Sequence, residues 1–133
     1  MTEEELIREA RKVLSARVQW QQLADALFDA ILIVGRDGRV VLANTQALKL
    51  LDYMMTEVLG HLVEEFMPEE FRAKHEEYRK RFFLAHDRSP RFMGRGVELF
   101  VLTKEGERVQ VDIGLSYLRA DEGGFAVVTL RPR

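Results

Sequence analysis

Apolar and polar positions fall into three successive patterns along the chain. Over residues 3–27 the apolar side chains Leu6, Val13, Trp20 and Leu27 recur every seven positions, with Ile7 and Leu14 beside them. Ala10 and Ala24 fill a second row, and no Gly or Pro interrupts the segment. A seven-residue repeat places these side chains on one helical face and is the signature of packing along a helix seam. Glu3, Glu4 and Glu5 suit the positive end of such a helix. Arg17 and Gln21 break the stripe. One amphipathic helix is therefore expected, with Leu6, Ile7, Val13, Leu14, Trp20 and Leu27 as candidate dimer-interface residues. It can equally fold back onto its own domain.

The second pattern begins at Ala30. Strands are predicted near 30–35 and 39–43, joined at Asp37-Gly38, a pair that tolerates the positive φ of a tight hairpin turn. Neither strand alternates apolar with polar, as a hairpin with one wet face would. Both faces are therefore expected to be covered. Asn44 follows, where strand gives way to a helix from Thr45 carrying Ala47, Leu48 and Leu51. As an N-cap it would satisfy a free backbone amide. It could also tie the hairpin to the helix or to a ligand. Residues 52–67 read as short mixed pieces, with Thr56 as a cap and Gly60 as a stop.

Pro68 opens a segment, PEEFRAKHEEYRKRFF, with acidic residues at its start and basic ones at its end, as the helix dipole favours. Phe71, His75, Tyr78 and Phe82 are spaced 4, 3 and 4, so they share one face. His75 is the polar member of that stripe. Arg79-Lys80-Arg81 reads as a solvated helix end, and His61 and His86 as exposed turn residues.

The third pattern is three strand candidates, 97–103, 108–117 and 125–130, separated by Lys104-Glu105-Gly106 and Asp121-Glu122-Gly123-Gly124. The middle one alternates cleanly, with Val109, Val111, Ile113, Leu115 and Tyr117 on one face. Strands at both ends of a helical middle predict an α+β fold with one antiparallel sheet.

Composition narrows the functional classes. The 133 residues suit one domain, divided as an N-terminal helix over 1–19 and a domain over 20–133. Twenty basic against 22 acidic residues leave a net charge of −2, without the basic footprint of a nucleic-acid binder. No apolar run is long enough for a membrane span, and the charged N-terminus lacks a signal-peptide core, so a cytoplasmic location is expected. With no cysteine, thiol chemistry and cysteine-held metals are excluded. An enzyme is not expected: His75 with Glu76 or Glu77 is the one acid–base pairing on a single element. Neighbouring helical residues diverge by about 100 degrees and would not converge on a substrate.

The chain resembles a PAS domain, the small sensory module of bacterial signalling proteins, over about residues 20–131. The resemblance is carried by the hairpin with Asp37-Gly38 and Asn44, by Tyr53-x-x-x-Glu57-x-Leu59-Gly60 and by Met67-Pro68-Glu69 with Arg72-x-x-His75. Met93-Gly94-x-Gly96, Glu98-Leu99 and Lys104-x-Gly106 complete it. It implies a five-stranded antiparallel sheet in order 2-1-5-4-3, helices on one face enclosing a pocket, and an N-terminal helix on the other face or against a partner. It also implies a homodimer that senses a small molecule and signals to an effector such as a kinase or cyclase. The pocket residues expected on this basis are Ile33, Leu42, Asn44, Leu48, Phe71, His75, Tyr78, Val97, Leu99, Val111, Ile113 and Val127.

Three functional readings stand. The first is a ligand-binding sensor. The second is a ligand-free pairing module whose core is filled by its own side chains. The third is a haem b gas sensor, since haem-binding members of the resembling family carry an axial His in an Arg-x-x-His-x-x-Tyr setting like Arg72, His75 and Tyr78. A neutral imidazole on an apolar helix face suits such a ligand, but equally a hydrogen-bonded core residue. Those sensors carry an Arg where Val97 stands here; Arg95 would share its face on an extended strand. Flavin photochemistry through a cysteine adduct is excluded. The end, Leu130-Arg131-Pro132-Arg133, departs from the Asp-containing motif that commonly leads to an effector helix.

Overall fold

A computed structural model gives the architecture. It describes the chain except residues 18, 86–88, 95 and 121–122 and the side chains of residues 13–17. Val13, Leu14, Arg95, His86 and the Asp121-Glu122 turn therefore lie wholly or in part outside the described residues. Two helices, α1 (Glu3–Arg17) and α2 (Trp20–Asp25), precede the hairpin β1 (Ala30–Gly35) and β2 (Val40–Ala43). Then come α3 (Thr45–Leu51), α4 (Met55–Val58), two 3₁₀ turns (Val63–Phe66 and Glu69–Phe71) and α5 (Arg72–Leu84). The remaining strands are β3 (Arg91–Phe92), β4 (Leu99–Leu102), β5 (Arg108–Ala120) and β6 (Gly123–Pro132).

The sheet is antiparallel, built on the long β5–β6 hairpin, whose register runs from Ala120↔Gly123 to Val111↔Pro132. β1 lies along the other side of β6, with β2 outside it. β4 and the two-residue β3 pair with successive parts of β5. The five principal strands thus run β2-β1-β6-β5-β4, which is the expected 2-1-5-4-3 order. β3 is an addition that two residues could not signal by periodicity.

One sheet face carries the core. Leu32 and Val34 of β1 and Ala126 and Leu130 of β6 pack with Leu51, Val58 and Phe82 from the helices. Ile31 and Leu42 are buried outside this cluster, as is Ala24 of α2. Alternation along the strands places Ile31 and, through its pairing with Ile33, Leu42 on the opposite face. β1 is covered on both faces, which explains why it does not alternate, while β2 leaves Val41 exposed.

Several local expectations are corrected. The single helix over 3–27 is two, and the described side chains of α1, residues 3–12, are all exposed rather than laid on the sheet. α2 begins after Gln19, whose amide is taken by the Gln22 side chain at 3.2 Å. β2 opens at Val40, because the Arg39 amide donates to Asp37 Oδ1 in the turn. Thr56 does not cap α4; Glu57 does, accepting from the Met54 amide at 3.0 Å. After Pro68 the chain makes a 3₁₀ turn before α5 begins at Arg72.

Candidate functional site

A cavity of about 700 Å³ lies between α5, the segment around β3 and β4, and the inner sheet face. Its floor is set by Leu32 and Val34 of β1, Ile113 and Leu115 of β5, and Ala126 and Val128 of β6. The floor follows from the clean alternation of β5: inward residues recur every second position, and antiparallel pairing fixes which residues of β6 and β1 share that face.

The stripe that begins in the 3₁₀ turn at Phe71 and continues along α5 supplies the wall. Phe71, His75, Tyr78 and Phe82 all border the cavity, with Leu99, Val97 and Ile113 of the expected residues. The other expected residues do not. Ile33 and Val127 are cross-strand partners on the outer face, one residue out of phase with Leu32 and Val128. A run apolar on both faces leaves that phase undetermined, and a one-residue slip moves every side chain to the other face. Leu42 shares the face of Ile33 for the same reason. Leu48 packs against the core and Val111 is buried within it, both away from this cavity. Val97 reaches the cavity from a turn rather than a strand, its amide donating to the Gly94 carbonyl at 2.8 Å. Gly94 and Gly96 hold positive φ there; Arg95, between them, lies outside the described residues.

Behind His75 stands a group that periodicity did not reveal. Glu64, only 7 % exposed, accepts from His75 Nδ1 at 2.6 Å and from Arg79 through both carboxylate oxygens, at 3.2 and 3.3 Å. Burial pushes the Glu64 carboxyl up, but the hydrogen bonds and charges of His75 and Arg79 outweigh this and hold it below its ordinary range. An ionised carboxylate only accepts, so His75 Nδ1 carries the proton. Its other ring nitrogen, Nε2, has no protein partner among the described residues and is the atom left for a ligand. Arg79, expected at a solvated helix end, is instead buried; it donates to the Arg36 carbonyl at 2.8 Å. Gly38 lets that guanidinium approach, since a Cβ there would meet Arg79 Cζ at 2.6 Å. The sequence signal was an Arg one helical turn after His75, facing an acidic residue in the preceding segment.

Asn44 is away from the cavity and serves as a structural hub. Its Oδ1 accepts from the Ile31 amide at 2.8 Å and the Ala47 amide at 3.0 Å. Its Nδ2 donates to the carbonyls of Ala24 and Asp29, both at 2.8 Å. It caps α3 and at the same time ties α2 and β1 to it. Asp25 adds a second tie, accepting from the Thr45 amide, which with the Thr45 hydroxyl holds the Asp25 carboxyl low.

The N-terminal helices and the segment just after α2 carry exposed apolar side chains. Leu6, Ile7 and Leu27 are exposed, Trp20 is 77 % exposed, and Phe28 is 99 % exposed. Val13 and Leu14 belong to the side chains outside the described residues. Among the described residues no cluster of His, Asp or Glu is arranged to hold a metal, and no helix is long and apolar enough to cross a membrane.

The chain is thus an antiparallel sheet with helices over one face and an apolar cavity beneath them. The chain matches the PAS domain family over residues 29–131 and belongs to it. As a PAS domain it is a signalling module, not an enzyme. Solved structures of similar fold include the PAS domain of an HTR-like protein from Haloarcula marismortui, at 21% identity and TM-score 0.68, covering 98% of this chain and 97% of that one. A PAS domain from Desulfitobacterium hafniense has 19% identity and TM-score 0.68, covering 82% and 96%. A PAS domain from a two-component sensor histidine kinase has 14% identity and TM-score 0.67, covering 95% and 99%. No curated protein matches the chain.

Proposed function

We propose that this PAS domain binds a small organic ligand in the cavity under α5 and reports its presence, as a homodimer, to an effector such as a kinase or cyclase. The observation that carries this reading is the cavity itself: about 700 Å³, mainly apolar, with His75 in its wall. Protein interiors are close-packed, so a space of this size is what a ligand site requires. The similarity to a domain of a histidine kinase favours a kinase as effector. The route outward runs from His75 through Glu64 to Arg79, which clamps the β1–β2 turn at Arg36 and Gly38. A ligand that draws on His75 would alter this clamp. A thermal-shift screen of the purified protein against a metabolite library tests the reading. At least one compound should raise the melting temperature, and Leu115→Trp, which adds bulk inside the cavity, should abolish that rise. A screen without any such compound counts against it.

A ligand-free pairing module is the second reading, favoured by the exposed apolar row Leu6, Ile7, Trp20 and Leu27. Apolar side chains left in water on α1, at the start of α2 and just beyond it find cover in a second copy. Trp20→Glu should then give monomers in sedimentation where the parent chain gives dimers. A monomeric parent chain at high concentration would sink this reading. Haem is the third, favoured by His75, whose Nδ1 is held by a carboxylate so that Nε2 is the ligating atom, an arrangement that strengthens an imidazole ligand. A Soret band after reconstitution that does not change in His75→Ala would remove it.

A further inference from the structure

The cavity's lining is apolar within and cationic at its edge. Lys74, Arg79, Arg81 and Arg91 border it, with Glu98 the one carboxylate among the described lining residues. This contrasts with a chain whose net charge is −2. Arg79 is neutralised by Glu64, but Lys74, Arg81 and Arg91 have no carboxylate partner among the described residues. Elsewhere Lys80, Lys104, Arg108 and Arg131 have one while Arg8, Arg11 and Lys49 have none among the described residues, so what sets the three apart is that they border one apolar cavity.

The three cations are placed by the fold. Lys74 and Arg81 are two helical turns apart on α5, with Tyr78 between them on the same stripe. The Lys74 ammonium lies 5.8 Å from the centre of the Tyr78 ring. Arg91 belongs to β3, and its guanidinium lies 5.8 Å from the centre of the Phe82 ring. The β3 side of the opening is thereby brought against the turn of α5 that carries Arg81. Leu32, Val34, Leu115 and Val128 form an apolar floor below.

We infer that the cavity takes an amphipathic anion: an apolar body against the sheet and an oxyanion headgroup held at the opening by Arg81 and Arg91, with Lys74 adding charge. Lys74, Arg81 and Arg91 are exposed and solvated, so a neutral apolar molecule would fill the floor without engaging them, a cation would meet like charge, and an anionic headgroup would gain from all three. Guanidinium groups suit carboxylate oxygens because their donors form a planar fork. This inference rests on the reading of the cavity as a ligand site and names the ligand's class.

Calorimetric titration with decanoate and with 1-decanol, which share one chain and differ in headgroup, tests it. Decanoate should bind about ten-fold more tightly at low salt, and the difference should shrink at high salt. The double variant Arg81→Gln/Arg91→Gln should bring decanoate to the affinity of decanol and leave decanol unchanged, which also shows that the variant is folded. Equal affinity for the two probes, or decanoate binding untouched by the double variant, overturns the anion assignment while leaving the cavity a ligand site. Binding of neither probe overturns it as well; if the metabolite screen is also empty, the ligand-site reading falls with it.

Discussion

His75 Nδ1 lies 2.6 Å from Glu64 Oε2, joining the cavity wall on α5 to the first of the two 3₁₀ turns, Val63–Phe66. Arg79 holds the other side of the same carboxylate and, through the Arg36 carbonyl, the hairpin turn. One buried acid therefore links three elements that border or support the cavity.

Glu64→Gln should destabilise the fold by about 2 kcal/mol in chemical denaturation at neutral pH, because it leaves Arg79 without its charge partner. The pH dependence should change too. The Glu64 carboxyl is held below its ordinary range in the folded chain, so its stabilisation is complete above that range. It fades as pH falls below about 5 and through the folded value. The parent chain should lose more stability than Glu64→Gln over this acid range. Parallel acid dependence in the two would show that the linkage is not at Glu64.

Asn44→Ala removes four hydrogen bonds at a position with no exposure, taking the side-chain partner from the Ile31 and Ala47 amides and the Asp29 carbonyl, while the Ala24 carbonyl keeps the Leu27 amide. A loss of about 3 kcal/mol is expected from unsatisfied buried groups and the missing cap. Proteolysis should become faster near residues 24–29, where α2 is tethered. A loss below about 1 kcal/mol would mean that water replaces the side chain at this junction.

Gly38→Ala tests the turn. Gly38 has φ of 88° and its missing side chain leaves room for the Arg79 guanidinium. The variant should lose about 1–2 kcal/mol from backbone strain and displacement of Arg79 together. Combined with Glu64→Gln the losses should be less than additive, since both disturb the same guanidinium. Full additivity would separate the turn from the Glu64 pair.

The architecture was legible because its periods are strong. The alternation of β5, the paired apolar runs around Asp37-Gly38 and the stripe Phe71–Phe82 each mark the type of element, strand, hairpin and helix in turn. What escaped has physical reasons. A strand apolar on both faces carries no phase, so Ile33 and Val127 could not be told from Leu32 and Val128 until the register to β5 was known. Arg79 read as solvated because charge usually is, and Glu64 sat in a segment without a period to single it out; only their pairing across two elements allows burial. The break between α1 and α2 has no Gly or Pro to mark it. β3 is too short for any period.

The central claim is that the cavity under α5 holds a small organic ligand. Native mass spectrometry of the parent chain and Leu115→Trp, both exposed to the same small-molecule extract, tests it most directly. The account predicts an added mass on the parent chain that is absent from Leu115→Trp. No added mass on the parent chain, or the same added mass on both, would contradict it.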